Sequence, residues 1–141
     1  MHEDVRNNEI YTPVKVTHVG FMDESGLEGV LTFMSEDGRV FSMRAFSGEV
    51  ASHIARFISG DRSSIPTIYQ IVESLADNFG THLLKVEIYP SKDVLRADLY
   101  FENRDKKIFT LKGFRASDAV ALATFYDVTI YVHDTLLLKE A

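Results

Sequence analysis

Residues 83–102 read LLKVEIYPSKDVLRADLYFE, and the fold class follows from their alternation. Apolar side chains recur at every second position, first over residues 84–88 and then over residues 95–101, with polar or charged side chains between them. That period of two is typical of antiparallel strands with one face on a core and the other in solvent. A polar turn at residues 103–106 leads into a third strand at residues 107–112. The stretch therefore predicts a three-strand meander.

The residues before this meander predict a similar order of elements. Three strands are predicted at residues 12–21, 27–35 and 40–44, the first of them buried on both faces or at the centre of a sheet. A helix capped by Ser47 follows and ends at Gly60, and a second helix ends at Gly80. The apolar positions at helical spacing are Val50, Ile54, Phe57 and Ile58 in the first helix and Ile68, Ile71, Val72, Leu75 and Phe79 in the second.

Three further elements are predicted after the meander: a helix beginning at Ser117, a buried strand at residues 128–132 and a short helix opened by Asp134. The full order is βββαα-βββαβα. It predicts a single compact α+β domain over residues 12–141, with an antiparallel-rich sheet and packed helices. Residues 1–11 are expected to form a flexible tail.

The two halves of the chain share a plan. Each has three strands followed by a helix with an acid in its first turn, Glu49 in one half and Asp118 in the other, 69 positions apart. This suggests an internal duplication. The alternative is that unrelated helices have converged on the same capping chemistry.

Composition narrows the classes of function. The 141 residues carry a formal net charge of −6 and include no cysteine, which excludes a thiolate nucleophile, a zinc ribbon and a cysteine-ligated iron–sulfur cluster. The excess of acid argues against a protein held to nucleic acid by an overall basic surface. The polar N-terminus does not resemble a signal peptide, and apolar runs are short. We therefore expect a cytoplasmic protein that does not bind membranes.

The segment FRASDAVALA, residues 114–123, is the most suggestive for chemistry. Arg115, Ser117 and Asp118 would bring a guanidinium, a hydroxyl and a carboxylate to the start of a helix, where backbone N–H groups favour anions. A purely structural alternative exists. In that case Ser117 caps the helix, Asp118 complements its dipole and Arg115 pairs with a nearby acid.

Residues 115–123 and the following strand at 128–132 resemble the Arg-Pro-Ser-Asp-Ala-Ile-Ala-Leu-Ala segment and next strand of the bifunctional nuclease domain family. Residues 40–54 are similar to that family's strand ending in a glycine and its Glu-Ala at a helix start. The spacing from Pro66 to Gly80 agrees as well. The resemblance covers roughly residues 14–136. It implies a compact α+β domain, oligomeric in some members, that hydrolyses RNA and DNA.

This resemblance implies phosphodiester hydrolysis, which needs an activated water and neutralisation of the phosphate charge, commonly by carboxylate-held divalent ions. We expect Asp118, Glu49 and Ser117 to be catalytic, and Glu49, Asp118 and His53 to hold Mg²⁺ or Mn²⁺. The alternatives are that each acid serves only its own helix and that His53, four residues after Glu49, forms an ion pair along the helix.

Arg115, Lys112 and Arg44 are the expected substrate-binding residues, with nucleic acid or a smaller phosphodiester as the partner. Lys112 lies in a locally basic stretch, residues 91–115, which holds seven basic and four acidic side chains. With its interleaved aromatic residues, such a stretch could follow a single strand of nucleic acid. It could also be a solvated hairpin whose lysines discourage edge pairing.

The chain departs from the family at the start of the second helix. Thr67-Ile68-Tyr69 stands where the family usually has Thr-His-Asp, so a histidine and an acid are missing. If that pair bound a metal or moved a proton, this chain has kept the fold without the activity. Two functions are therefore open, a nuclease-like hydrolase and a non-catalytic binding or oligomerisation module. A homo-oligomer is expected in either case.

Overall fold

The computed structural model describes residues 10–138 and has the predicted α+β class. Residues 1–9 of the predicted tail lie outside the described residues. Within the described part, the strands are β1 Tyr11–Phe21, β2 Glu28–Ser35, β3 Val40–Ser47, β4 His82–Ser91, β5 Val94–Glu102, β6 Ile108–Arg115 and β7 Thr129–His133. The helices are α1 Gly48–Ile58, α2 Ile68–Asn78, α3 Ala116–Tyr126 and a 3₁₀ helix, Asp134–Leu136. This order confirms the predicted one, with the last helix reduced to a single 3₁₀ turn.

The strands form one sheet in the order β3-β2-β1-β7-β4-β5-β6. Neighbouring strands are antiparallel except β4 and β7, which are parallel and join the two predicted meanders. β1 is paired on both sides, as predicted for a strand inside the sheet. Of its residues only Val14 is buried, so it is not buried on both faces.

The core lies between the sheet and the helices α1 and α3, which pack against each other. In β4 the predicted inward row is wrong at its first member, because Leu83 is buried and Leu84 is not. A break in the β4–β5 register between Leu83 and Lys85 is the cause, since one extra residue in a strand reverses which side chains face inward. The largest fully buried side chains are Phe33, Phe125, Leu31, Ile54, Leu83, Ile88, Val86, Val120 and Val132.

The helix α2 forms where predicted, but most of its apolar stripe faces outward, and of the predicted positions Val72 packs partly against the core. Thr67 caps the helix in a reciprocal pair with Gln70. Tyr69 is the buried residue of the helix, and its contacts with rings of α1 and α3 turn the stripe to the surface. The side chains left exposed are Ile68, Ile71, Leu75 and Phe79, together with Ile58 of α1. No helix within residues 10–138 is long and apolar enough to cross a membrane.

The structure supports an internal duplication and corrects its spacing. β3 and β6 each have eight residues, α1 and α3 each have eleven, and both units are offset by 68 positions. Ala45 and Gly113, also 68 positions apart, both adopt a positive φ, 63° and 80°, where the strand pairing is irregular. Glu49 therefore corresponds to Ser117, and the expectation that Glu49 and Asp118 occupy equivalent positions is wrong.

The 3₁₀ helix after β7 is joined by side-chain hydrogen bonds to β1 and to the turn between β2 and β3. Asp134 Oδ1 accepts hydrogen bonds from Arg39 Nη1 at 2.8 Å and from Thr12 Oγ1 at 3.0 Å, and these two donors lower the pKa of Asp134. His133 Nδ1 accepts from the backbone N–H of Thr135, at 3.3 Å. The 3₁₀ helix is thus capped by His133, not by Asp134 as predicted, because the Asp134 carboxylate is used elsewhere.

Candidate functional site

The start of α1 holds Glu49 in a fixed backbone frame. Ser47 caps the helix as predicted, its hydroxyl accepting a hydrogen bond from the Glu49 backbone N–H at 3.1 Å. Gly48, the first helical residue, donates its N–H to the Leu27 carbonyl at 2.9 Å. A Cβ on Gly48 would lie 1.9 Å from the Gly26 carbonyl oxygen, so only glycine fits. The Glu49 side chain is 82 % exposed and is therefore accessible to a ligand in solvent.

The start of α3 holds Arg115 and Asp118 as an ion pair. Arg115 Nε donates to Asp118 Oδ2 at 2.9 Å, and this hydrogen bond raises the pKa of Arg115. Arg115 occupies the position before the helix and makes no side-chain cap. The prediction that Ser117 caps the helix is wrong, because the chain is already helical from Ala116 and Ser117 is its second, buried residue. The pairing of Arg115 with an acid is confirmed.

Tyr69 packs into the cluster of rings where the three helices meet, and it was not among the predicted site residues. Its ring lies edge-on to Phe57 and His53, with centroids 5.3 and 5.5 Å away, and 6.3 Å from Phe125. Only about a tenth of the residue is exposed. Such a cluster holds the phenol in one position.

The pKa of Tyr69 is affected by charged residues at the starts of both α1 and α3. Burial, followed by the negative charges of Asp118 and Glu49, raises the pKa of Tyr69 to about 12, while Arg115 opposes the shift. Charges act appreciably over about 10 Å or less. Charges at the starts of both α1 and α3 therefore act on the Tyr69 hydroxyl, which remains protonated at neutral pH.

His53 lies between Glu49 and the aromatic cluster. Its Nε2 is 3.7 Å from Glu49 Oε2, and its Nδ1 is 3.0 Å from Arg56 Nη2. Arginine only donates hydrogen bonds, so Nδ1 accepts and the imidazole proton sits on Nε2, facing Glu49. This arrangement favours a histidine that orients Glu49 over one that binds a metal through Nε2.

Arg44 and Lys112 occupy corresponding places in the two units. Arg44 precedes Ala45 in β3, and Lys112 precedes Gly113 in β6. Both residues are exposed, but their strands are the opposite edges of the sheet. The structure therefore does not bring Arg44 and Lys112 together: Lys112 lies on the strand that leads to Arg115, and Arg44 on the strand that leads to Glu49.

The described residues 10–138 contain no group of three or more His, Cys, Asp or Glu side chains arranged to hold a metal ion. The acids that act on Tyr69 are two, Asp118 and Glu49. Sequence patterns pointed to both acids through their places at helix starts, whereas Tyr69 reaches the site through packing between helices, which has no local signal.

Comparison with known proteins adds one match. The sequence model described as the bifunctional nuclease domain matches residues 39–141, which covers every element from β3 onward and both helix starts of the site. No curated protein matches the chain.

Proposed function

Because the chain belongs to the bifunctional nuclease domain family, we propose that it hydrolyses phosphodiester bonds of RNA or DNA at the starts of α1 and α3. The observation that carries the proposal is the packing of α1 against α3, whose first turns hold Glu49 and the Arg115–Asp118 ion pair at 2.9 Å. Two carboxylates and a guanidinium are the kinds of group that hydrolysis of a phosphodiester requires.

A divalent cation is part of this proposal, and the donors suit Mg²⁺ or Mn²⁺. Mg²⁺ is usually held by one or two carboxylates, with waters and substrate phosphates completing its shell. Glu49 and Asp118 fit that description, and His53 does not, because coordination through Nε2 would need a proton on Nδ1, where the Arg56 guanidinium donates at 3.0 Å. When bound, the cation would neutralise phosphate charge and lower the pKa of a water.

The remaining roles follow from the chemistry of the side chains. Arg115 uses one N–H on Asp118 and has further donors for a phosphate oxygen. Ser117 and the first backbone N–H groups of α3 would bind a second oxygen. The exposed Glu49 carboxylate would accept the proton of the attacking water, whose oxygen bonds to phosphorus as the bond to the leaving sugar oxygen breaks. Solvent then protonates that oxygen. Lys112 and Arg44 would bind the flanking backbone of the substrate.

The test is hydrolysis of labelled single-stranded RNA and DNA in the presence of Mg²⁺, Mn²⁺ or EDTA. We expect metal-dependent cleavage that falls at least a hundredfold in Asp118→Asn and in Glu49→Gln, because each loses a charge needed in the transition state. Ser52→Ala, an exposed position of α1, is the matched control and should retain activity. Cleavage that survives both site substitutions would show that this site is not responsible.

A second candidate, a non-catalytic binding module, is favoured by one observation. Tyr69 stands where the family usually has the acid of Thr-His-Asp, and its pKa is raised by burial and then by the charges of Asp118 and Glu49. A phenol supplies a neutral donor there in place of a carboxylate. This candidate predicts that fluorescent oligonucleotides bind without being cut and that Arg115→Ala weakens binding. Cleavage above the level of Asp118→Asn would exclude it.

A further inference from the structure

Two arginines lie directly opposite each other where β5 and β6 approach the start of α3. Arg96 of β5 pairs with Arg115 of β6, and Arg96 Nη1 donates to the Gly113 carbonyl at 3.4 Å, a longer hydrogen bond than usual. The Arg96 guanidinium therefore reaches across to β6, two residues before Arg115. Paired side chains of antiparallel strands lie on one face, with Cβ atoms about 4.5–5.5 Å apart. Two positive charges are thus held side by side next to the start of α3.

The two positive charges are only partly neutralised. Arg115 Nε donates to Asp118, whereas Arg96 forms no ion pair among residues 10–138. The next acid along β5, Asp98, is buried and accepts hydrogen bonds from two other groups. Like charges directly opposite each other destabilise a sheet. The pair therefore weakens the sheet locally, while both guanidinium groups keep donors for a further acceptor.

The first half of the chain builds the same junction between strand and helix without arginines. With the offset of 68 positions, Arg96 corresponds to Glu28 and Arg115 to Ser47, and these two residues also pair across their strands. A register shift lies beside the pair in both halves. Neither the strand pairing nor the turn into the helix therefore requires an arginine. A destabilising pair without a structural need is expected at a functional site.

We infer that Arg96 and Arg115 bind one phosphate group of a nucleic-acid strand between them. This inference rests on the proposed function and adds Arg96 to the residues that bind the substrate. Guanidinium groups present planar sets of N–H donors that match phosphate oxygens, and a shared anion replaces the repulsion between two arginines by attraction. The junction before α1 carries Glu28 and Glu49 instead, which suit a cation. The phosphate therefore binds at the junction before α3.

Titration of the ¹⁵N-labelled protein with inorganic phosphate, in EDTA and at constant ionic strength, tests the pair directly. The Nε–H signals of Arg96 and Arg115, assigned with Arg96→Gln and Arg115→Gln, should shift together and saturate with one dissociation constant. Arg62 Nε, which donates to the Phe125 carbonyl at 2.7 Å, is the internal control and should not shift. In Arg96→Gln the Arg115 signal should need at least tenfold more phosphate. No saturable shift at Arg96, or an Arg115 response unchanged in Arg96→Gln, would overturn the inference.

Binding of a fluorescent single-stranded DNA oligonucleotide, also in EDTA, tests whether the phosphate belongs to a nucleic-acid strand. Arg96→Gln and Arg115→Gln should each raise the dissociation constant at least tenfold. The double variant should raise it by clearly less than the product of the two effects, because both arginines act on one phosphate. Lys15→Gln removes the same charge from an exposed position of β1 and should leave the constant within twofold. Effects that multiply, or an Arg96→Gln protein that binds like the wild type, would overturn the inference.

The stability of Arg96→Gln is a further check. This variant should unfold at no lower urea concentration than the wild type, because it loses a like-charge repulsion and keeps most of the side chain. A clearly lower midpoint would show that the sheet needs Arg96 and would overturn the inference. None of these measurements depends on cleavage. A protein that binds phosphate in this way and cleaves neither RNA nor DNA would refute the proposed hydrolysis and support this inference.

Discussion

Replacing Gly48 by alanine should destabilise the domain, although the same change inside a helix usually stabilises it. At an interior helical position alanine is favoured over glycine by about 1 kcal/mol. Here the new Cβ would lie 1.9 Å from the Gly26 carbonyl oxygen, which is backbone and cannot rotate away. Since non-bonded carbon and oxygen atoms pack no closer than roughly 3.3 Å, the loop or the helix must move by about 1.4 Å.

The size of the effect follows from three contributions. Overpacking of this kind costs roughly 1–3 kcal/mol and occasionally more, and the upper part of that range applies because both partners are backbone. The displaced hydrogen bond from Gly48 N–H to the Leu27 carbonyl adds about 1 kcal/mol. Helix propensity offsets about 1 kcal/mol. The net loss is about 3 kcal/mol, or a fall of about 10 °C in Tm for a domain of this length.

Urea unfolding followed by circular dichroism measures this loss, with Ser52→Ala on the same helix as the control. The control should change the free energy of unfolding by less than about 0.5 kcal/mol. A Gly48→Ala protein as stable as the wild type would refute the close approach of residue 26 to the start of α1. It would also remove the reason for the fixed backbone position of Glu49.

Two further predictions concern Ala45, Gly113 and Asp134. Gly113→Ala should lower the free energy of unfolding by about 1 kcal/mol, because residue 113 has a positive φ, although a Cβ there would meet nothing within 4 Å. Ala45→Gly should raise it by roughly 0.5 kcal/mol, because residue 45 also has a positive φ. Changes of the same sign in urea unfolding would contradict this explanation. Arg39 and Thr12 lower the pKa of Asp134 in the folded state, so the stability that wild type gains over Asp134→Asn should be complete above about pH 4 and lost as pH falls through that lowered pKa. A difference in unfolding free energy that stays constant down to about pH 2 would exclude the effect.

The elements that depend on neighbouring residues could be predicted from the sequence. Ser47 caps α1, and the alternation of β5 correctly places Ala97, Leu99 and Phe101 in the core, because caps and periodicity are properties of a few adjacent positions. The predicted solvent face is wrong at Asp98, which is buried where the β5–β6 register shifts. The irregularity at Leu84 could not be predicted in this way. It depends on how two strands are aligned, and one inserted residue reverses the faces of everything on one side of it.

The residues of the candidate site also differ in whether neighbouring positions or tertiary packing identify them. Glu49, Arg115 and Asp118 are recognisable because helix starts have a chemical pattern of their own. Tyr69 became visible only through its packing between α1 and α3. In α2 the sequence predicted the element correctly but not the direction that its apolar stripe faces. Its helical spacing correctly predicted a helix, but periodicity does not say whether the apolar face meets the core or the solvent.

The place of β7 has a consequence for how this chain reaches its native state. Among residues 10–138, β7 is the last strand in chain order, yet it lies between β1 and β4, which do not pair with each other. Until residues 129–133 are available, the chain can form only two separate three-stranded sheets with unpaired inner edges. During synthesis, which proceeds from the N-terminus, the edges of β1 and β4 remain unpaired until β7 has been made. The most aggregation-prone interval of its biosynthesis is therefore the one before the last strand emerges.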